Sequence, residues 1–349
     1  MPVRDTPSSP PVEPPRIVRL AMRAAERLGY QSRIVDPTYG YLFEVSNGRD
    51  KRYIVGGMSP LNDAVGARIA QDKYYSAMVL AERGFRVTDG VRCLRAGYFK
   101  YEDFSNRSGF QPGIDLAKRA GYPVIVKPNR MALGRDVVAV ADESELVEAV
   151  KTVWMADYIA LVQQVALGAD VRLDFLDGAF LAGYRRRPVV VVGDGASDIR
   201  TLLSKLDRRF ADDSFFDRRR AETVWDKLVT GRGWTERTVL AAGERLSFEG
   251  PILNLNRWAT AEVLDDVPER WLRHCLAIAD VLRLRHFGLD LRVPVDGDGS
   301  DWMDTAPERS VIIEVNASPS LVQMHELGYE DKAIGGQARV LKALFEGPR

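Results

Sequence analysis

The sequence predicts an α/β (α+β) protein with more than one domain. Segments with apolar residues three and four positions apart alternate with short strand-like segments, the pattern of a protein that packs helices on sheets. Asp177-Gly178 lies between two such strand-like segments and is a strong hairpin signal. The chain has 349 residues, of which 46% are hydrophobic. That length suffices for about two or three domains with sizeable cores.

Composition and charge argue against several classes of protein. The chain carries 49 basic and 49 acidic residues, a balance that disfavours a nucleic-acid-binding surface. Cys93 and Cys275 form no CxxC or Cys/His pattern, which argues against a disulfide scaffold and a structural zinc site. No segment approaches the ~20 apolar residues of a membrane span, and the N-terminus lacks the apolar region of a secretory signal. We therefore expect a cytoplasmic protein that binds neither nucleic acid nor membrane.

The N-terminal part is predicted to hold a tail and a small domain. Residues 1–15 are proline-rich and are predicted to be disordered. The run IVRLAMRAAERLGY predicts an amphipathic helix, and QSRIV, YLFEV and KRYIV predict short strands. Helical spacing continues over residues 60–84 and ends at Gly84. Together, residues 16–86 are predicted to form an N-terminal α/β domain.

Two further domains are predicted, over residues 87–165 and 166–349. In the first, residues 121–141 predict two strands around a nine-residue polar loop, and Asp142 begins a helix. The strand-like YIALVQQV follows. In the second, DVRLDFL and AFLAGY form the predicted hairpin, and residues 205–240 are charge-rich and mostly helical or irregular. The remaining predicted elements are a helix over 268–284, strands over 288–295 and 311–316, and a helix over 331–345.

Two carboxylates and an amide are predicted to meet near the C-terminus. Glu314 and Asn316 project from the same side of a strand because side chains alternate along it. Antiparallel pairing with the preceding strand would bring Asp290 to the same face. Oxygen donors of this kind suit Mg²⁺, whereas zinc would require His or Cys. The alternative interpretation is a solvated sheet edge.

Lysines and arginines supply candidate anion-binding groups. Lys127 ends an apolar strand and precedes the polar loop, where its ammonium could meet a phosphate; an edge-strand lysine that prevents aggregation is the alternative. Lys73 is a second candidate, or an ordinary exposed helix lysine. Arg185, Arg186 and Arg187 alternate, so that Arg186 faces away from its neighbours. This cluster is either an anion site or a solvated rim. No P-loop or dinucleotide-binding motif is present.

Taken together, these segments resemble the ATP-grasp superfamily of carboxylate-amine ligases. Within it they are most similar to the ATP-grasp modules of cyanophycin synthetases and of bifunctional glutamate-cysteine ligase/glutathione synthetases. The segments that carry the resemblance are DK at 72–73, PVIVKPNRMALGRDV, VQQVALGADVR, RRPVVVVGDGASDI and IIEVNASPSLVQMH. The resemblance implies an ATP-grasp fold. Its small N-terminal α/β domain precedes a lid domain and a C-terminal mixed-sheet domain, with ATP between the last two.

The resemblance also implies roles for individual residues. ATP and Mg²⁺ are the implied cofactors, and the implied substrates are small amino acids or peptides. The residues at the implied ATP-binding positions are Lys73, Lys127, Gly134, Gln163, Gln164 and Asp170. Those at the magnesium positions are Asp290, Glu314 and Asn316. Arg172 and Arg186 are the implied catalytic arginines, and Arg187, Asn256 and His325 stand at substrate-binding positions.

Departures from the family pattern leave more than one function open. The family's phosphate loop carries several glycines, whereas Met131 and Asp136 replace two of them here and Gly134 remains. The first hypothesis is an ATP-dependent ligase that activates a carboxylate as an acyl phosphate and joins it to an amine. The second is a non-catalytic nucleotide-binding protein, and the third is a ligase acting on a protein or peptide terminus. A homodimer is the default oligomeric state.

Overall fold

Antiparallel strand pairs organise the part of the chain that the computed structural model describes, which is residues 13–58, 60–97, 109–131, 134–295, 297 and 299–346. The strands are β1 (Gln31–Ile34), β2 (Leu42–Ser46), β3 (Lys51–Val55), β4 (Gly90–Leu94), β5 (Val124–Pro128), β6 (Val138–Val140), β7 (Ile159–Gln164), β8 (Ala169–Leu176), β9 (Ala179–Pro188), β10 (Val190–Val192), β11 (Arg245–Ser247), β12 (Ala259–Val263), β13 (His286–Val293) and β14 (Val311–Asn316).

Helices cover these sheets. They are α1 (Arg16–Arg27), α2 (Ala64–Gln71), α3 (Lys73–Glu82), α4 (Gln111–Ala120), α5 (Glu143–Trp154), α6 (Ile199–Leu206), α7 (Asp213–Arg220), α8 (Thr223–Leu228), α9 (Glu269–Leu282), α10 (Val322–Glu326) and α11 (Glu330–Ala343). No helix among the described residues is long and apolar enough to cross a membrane. Most of the predicted tail, residues 1–12, lies outside the described residues.

The N-terminal elements appear in the predicted order. Helix α1 buries Val18, Ala21 and Ala25 against α11, and β1, β2 and β3 form a three-stranded antiparallel sheet. The helical stretch predicted over residues 60–84 is two helices rather than one. Asp72 has an extended backbone, and its side chain accepts a hydrogen bond from the Tyr75 N–H, so that it ends α2 and caps α3.

The lid sheet, defined as β4, β5, β6 and β7, has the strand order β4-β7-β5-β6. The predicted hairpin is present: β5 and β6 pair antiparallel across the loop 129–137. Asp142 begins α5 as predicted, because its carboxylate accepts the Glu145 N–H at 2.9 Å. Helices α4 and α5 pack on this sheet through Leu116 and Leu146.

The central sheet has the order β12-β9-β8-β13-β14, and its two faces differ in chemistry. Alternate residues such as Val171, Leu173 and Leu289 are buried in one apolar core with α9. The opposite face carries most of the charged residues of these strands, and Asp170, Asp290 and Arg292 line a cleft together with residues of the lid sheet. A mixed sheet was predicted here, with both parallel and antiparallel pairing. All pairs of named strands in this sheet are antiparallel, and among the described residues the parallel pairing is a single bridge between Val87 and Ile312.

Residues 189–258 form an additional layer at the end of the central sheet. Strands β10 and β11 pair antiparallel, and α6, α7 and α8 surround stacked aromatic rings that include Trp225, Phe248 and Trp258. The prediction of a mostly helical or irregular segment over residues 205–240 is confirmed. The loop 249–258 leaves this layer and passes the charged face of the central sheet. Its residues 251–254 line a cleft together with residues of that face.

Candidate active site

A cleft lies between the lid sheet and the charged face of the central sheet. It is lined from the lid side by β5, β7 and the loop 129–137, and from the other side by β8, β9, β13 and β14. The cavity volume is about 150 Å³. Of the predicted site residues, the following line it: Lys73, Lys127, Gly134, Gln163, Gln164, Asp170, Arg186, Asp290 and Glu314. The tertiary fold thus gathers residues that are up to 241 positions apart in sequence.

The predicted cluster of two carboxylates and an amide is present. In the antiparallel register of β13 and β14, Asp290 lies opposite Glu314 and Gly288 lies opposite Asn316. The Asn316 Nδ2 donates to Asp290 Oδ2 at 3.0 Å and to Glu314 Oε1 at 3.1 Å. Among the described residues, no group of three or more His, Cys, Asp or Glu side chains is arranged to hold a metal ion.

Two buried arginines form ion pairs with the Asp290 carboxylate. Arg172 donates to Asp174 and to Asp290, each at 2.6 Å, and Arg186 donates to Asp170 at 2.6 Å and also to Asp290. Burial alone would raise the pKa of Asp290, but the charges and hydrogen bonds of the two arginines hold it well below its ordinary value. Asp290 is therefore ionised at neutral pH.

Gly288 makes room for this network. A Cβ atom at Gly288 would lie 2.1 Å from Asp174 Oδ1 and 2.6 Å from an Arg172 guanidinium nitrogen. Because strand β13 pairs Gly288 directly with Asp174, the two charged groups occupy the space that a side chain would fill. The glycine at this strand position is thus required for the ion pair rather than for backbone flexibility.

Lys127 is a buried cation without a partner. It is 5% exposed, and its ammonium makes no hydrogen bond or ion pair to any of the residues that the structure describes. Burial lowers its pKa to about 8; Glu314 and Asp290 oppose this effect, and Lys73 adds to it. A buried ammonium is costly unless it is paired, so this geometry favours an anion in the cleft.

Lys73 is the first residue of α3, and its side chain contacts the loop 129–137. Its ammonium lies 3.6 Å from Glu314 Oε2 and donates to the Met131 carbonyl at 2.7 Å. Buried Asn129 accepts the Tyr74 N–H at 3.0 Å with its side chain, which positions the loop at the N-terminus of the helix. Lys73 therefore contacts both the lid loop and the carboxylate cluster.

The lid strand β7 and the central sheet supply further polar groups. Gln163 is buried and pairs with Gly90 in register, while Gln164 is exposed at the end of the strand. Asp170 lies opposite Arg186 in β9 and opposite Arg292 in β13, and Arg292 reaches its carboxylate at 2.9 Å. Asp170 is thus engaged by two guanidinium groups.

Five predicted site residues do not line the cleft. Arg172 lies behind Asp290, and Asn316 contacts the cluster from its edge. Arg187 points to the other side of β9, where it lies 3.4 Å from Glu262. Asn256 lies in the loop 249–258, where its backbone N–H donates a hydrogen bond to Asn254 Oδ1 at 2.7 Å. His325 lines a different cavity, because α10 turns its side chain toward α1.

Some lining residues were not predicted from the sequence. Arg292 shares a face of β13 with Asp290, and strand alternation from Asp290 is the signal that identifies it. Asn254 and Thr88 come from loops and carry no such signal. A Cβ atom at Gly134 would lie 1.9 Å from Asn254 Nδ2, so that the lid loop and the loop 249–258 are in close contact at this glycine.

The chain is similar in sequence to cyanophycin synthetases and to a glutathione biosynthesis bifunctional protein. The chain is 24% identical over 312 residues to the cyanophycin synthetase of Geminocystis herdmanii (strain PCC 6308), a match that covers 87% of this chain and 33% of that protein. It is 21% identical over 300 residues to the glutathione biosynthesis bifunctional protein of Streptococcus mutans serotype c, covering 83% and 37%. The chain thus spans about a third of the length of these curated relatives. No family model matches the sequence.

A solved structure with the same fold supports these matches. The crystal structure of a bifunctional glutathione synthetase from Pasteurella multocida superposes with a TM-score of 0.56 at 17% identity, covering 94% of this chain and 43% of that one. The α/β architecture with several sheets, predicted from the sequence, is confirmed. The chain has the fold of that bifunctional glutathione synthetase and is similar in sequence to cyanophycin synthetases and to a glutathione biosynthesis bifunctional protein.

Proposed function

We propose that this chain is an ATP-dependent ligase that joins the carboxylate of an amino acid or small peptide to an amine. The observation that carries the proposal is Lys127, a buried and unpartnered ammonium that shares a cleft with Lys73 and the carboxylate cluster. Cations on one wall and oxygen donors on the other suit the phosphates of ATP with a bound divalent ion. The names of the relatives support the same reaction class.

Asp290, Glu314 and Asn316 are the residues that would hold Mg²⁺. Their donor set fits the ion, because carboxylate and amide oxygens are its preferred protein ligands. Asn316 would bind the ion through Oδ1, which requires its amide to turn from the present geometry, in which Nδ2 donates to both carboxylates. Bound Mg²⁺ would neutralise phosphate oxygens during phosphoryl transfer. Arg172 is a positioning residue in this proposal, since it touches Asp290 and lies behind it.

The other residues of the cleft bind and orient substrates. Lys73 and Lys127 would contact the phosphates of ATP, and Gln163, Gln164 and Asp170 would contact its adenosine end. Attack by a substrate carboxylate on the γ-phosphate would give an acyl phosphate and ADP; attack by the amine would then release phosphate and form the amide. Arg186 lines the cleft and would be the cation that stabilises negative charge on the reacting carbonyl oxygen.

The first test is ADP release from Mg-ATP in the presence of a matrix of amino acids and dipeptides, with mass spectrometry on every positive well. A product mass equal to two substrates minus water would support the ligase and identify both substrates. ATP binding by calorimetry without ADP release against any small molecule or peptide terminus would contradict it. That outcome would favour a non-catalytic nucleotide-binding protein.

One observation favours this second candidate. Asp136 in the lid loop has a φ of +54°, a region that glycine adopts more readily than aspartate does, and its carboxylate adds negative charge to a loop proposed to contact phosphate. A loop of this kind binds phosphate less closely than a glycine-rich loop does.

Replacing Asp136 by glycine tests that point. Asp136→Gly removes a negative charge and lets the loop backbone approach phosphate more closely, so we expect ATP to bind about 3- to 10-fold more tightly, the equivalent of ~1 kcal/mol. Isothermal titration with Mg-ATP measures the change. Asp115→Gly, at an exposed position of α4, serves as the control for general effects of the substitution. Equal or weaker ATP binding by Asp136→Gly would contradict the expectation.

The pKa of Lys127 predicts a pH dependence of nucleotide binding. Burial lowers this pKa to about 8, so the free protein loses the ammonium charge as the pH rises through 8, whereas bound phosphate favours the charged form. ATP affinity is therefore expected to fall between pH 7 and 9, with proton uptake on binding at pH 8.5. Calorimetry in buffers of different ionisation enthalpy measures that uptake.

The control for this experiment is Lys127→Arg, which keeps its charge throughout this range. We expect the variant to bind without proton uptake at pH 8.5, which separates the lysine from titration of the nucleotide itself. If the wild-type protein and the variant show the same uptake, Lys127 is not the titrating group.

A further inference from the structure

Charged side chains of alternating sign form a chain of ion pairs across β8, β9 and β13. Arg292, Asp170 and Arg186 occupy one row of the strand register, and Asp290 and Arg172 are paired in the next row. Arg186 joins the two rows, because its guanidinium donates to Asp170 at 2.6 Å and also to Asp290. The carboxylate proposed to hold Mg²⁺ is therefore already engaged by cations of the protein itself.

The two oxygens of the Asp290 carboxylate have different partners. Oδ2 accepts hydrogen bonds from Arg172 Nη1 at 2.6 Å and from Asn316 Nδ2 at 3.0 Å, whereas Oδ1 accepts one from Arg186 Nη2. Asp290 and Arg186 line the cleft, and Arg172 and Asn316 do not. Oδ1 is thus the oxygen on the cleft side, and the cation that engages it there is Arg186.

Arg186 can give up Asp290 without losing every partner. Its Nε group donates to Asp170, which would keep one side of the guanidinium paired. Arg172 has no such freedom, because it lies between Asp174 and Asp290 and fills the space beside Gly288, where a Cβ atom would come within 2.6 Å of its Nη2. Of the two arginines on Asp290, Arg186 is therefore the one that can be displaced.

A divalent ion held by Asp290 and Glu314 would compete with these cations. A guanidinium on Oδ1 takes up a position that a metal ion needs, and its charge repels the ion. Lys73 Nζ is 3.6 Å from Glu314 Oε2, longer than a hydrogen bond, so Glu314 is held less closely than Asp290 is. Arg186 is therefore the main competitor of the ion.

We propose that Arg186 is the counter-ion of Asp290 and leaves Oδ1 when a divalent ion binds there, while it keeps its contact with Asp170. The inference rests on the proposed function, in which Asp290 is a magnesium ligand. The Nη2 group withdrawn from Asp290 becomes available to an oxygen of the carboxylate substrate. Binding of the ion therefore precedes productive binding of that substrate.

The test is binding of Mn²⁺ to the full chain without nucleotide, measured by electron paramagnetic resonance at constant ionic strength. Arg186→Met removes the competing charge, so we expect Mn²⁺ to bind about 10-fold more tightly than to the wild-type protein. Lys127→Met removes a charge that lines the same cleft without an ion pair to Asp290, and an increase of about 3-fold or less is expected. Arg285→Met, at an ion pair with Asp177 outside the cleft, should cause no change.

A second measurement follows Arg186 in the wild-type protein, because Arg186→Met also removes a partner of two buried carboxylates and its fold has to be checked by circular dichroism. Arginine side chains labelled with ¹⁵N are observed by NMR during a titration with Mg²⁺. We expect the Arg186 signal, identified by its loss in Arg186→Lys, to shift as Mg²⁺ binds, and the Arg285 signal to stay unchanged. An unchanged Arg186 signal at saturating Mg²⁺ would overturn the inference.

The outcomes separate this inference from the proposed function. If Arg186→Met binds Mn²⁺ no more tightly than the wild-type protein does, or gains no more than Lys127→Met, the inference is overturned. The ligase proposal then stands, because ADP release by the wild-type protein tests it independently. If neither the wild-type protein nor Arg186→Met binds Mn²⁺, with or without ATP, the magnesium assignment fails and the inference fails with it.

Discussion

Glu314→Gln is expected to abolish acceptor-dependent ADP release while the protein remains folded. Glu314 is half-buried at the edge of the cleft, and it faces Lys73 and Asn316. The amide is nearly the same size as the carboxylate but carries no charge to hold Mg²⁺. Loss of metal-ion stabilisation of the phosphoryl-transfer transition state costs several kcal/mol, on the order of 10³-fold in rate. Turnover under saturating Mg-ATP, with the substrates identified by the matrix experiment, measures the effect.

Glu82→Gln provides the matched control, since Glu82 is exposed at the end of α3 and lies outside the cleft. It should retain wild-type turnover. Circular dichroism and urea unfolding of both variants show whether the fold is intact. Wild-type turnover by Glu314→Gln would overturn the magnesium assignment. If the variant loses both turnover and structure, the milder Glu314→Asp variant is used instead. We expect Glu314→Asp to turn over more slowly at low Mg²⁺ and to recover at high Mg²⁺.

Arg172→Met is expected to have the largest effect on stability. Arg172 is buried between Asp174 and Asp290, and each ion pair has an N–O distance of 2.6 Å. The variant would leave two buried carboxylates without this partner, which costs roughly 3–5 kcal/mol in the free energy of unfolding. Urea unfolding at pH 7, followed by tryptophan fluorescence, measures the change. Arg27→Met, at an exposed pair with Asp331, should change the stability little.

The pH dependence of this destabilisation has a definite sign. In the wild-type protein, the arginines hold the pKa of Asp290 low, so its contribution to stability is present above the unfolded-state pKa and is lost as the pH falls through the folded-state value. Burial raises the pKa of Asp174, and Arg172 opposes that effect. Without Arg172 both carboxylates should take up protons more readily in the folded state. The difference between the two proteins is therefore expected to shrink from pH 7 to pH 5, and a constant difference would contradict this account.

Much of the architecture follows from local patterns in the sequence. The alternation of apolar and charged residues in β8 and β13 gives the central sheet one face for the core and another for the cleft. The strand alternation of Glu314 and Asn316, with an antiparallel partner, was sufficient to predict their contact with Asp290. The hairpin at Asp177-Gly178 is present because both residues adopt the positive φ that a two-residue turn requires.

Other features depended on contacts between distant segments. The break at Asp72 was not predicted, because helical spacing continues through it and the break is visible only in its cap and its ion pair with Arg130. Asn254 and Thr88 reach the cleft from loops, where periodicity gives no information. His325 was predicted at a substrate-binding position by resemblance, and the structure places it in a separate cavity between α1, α7 and α10 instead of the cleft.

The sequence by itself determined the α/β class, most of the strands and helices, and the identity of the carboxylate and amide cluster, because these depend on periodicity and on neighbours within one strand pair. Only the tertiary structure decided which charges are neutralised. Arg172 and Arg186 hold Asp290, whereas Lys127 is left without a partner in the described part of the chain. Charge pairing depends on distances between residues more than 100 positions apart, and a one-dimensional pattern does not contain those distances.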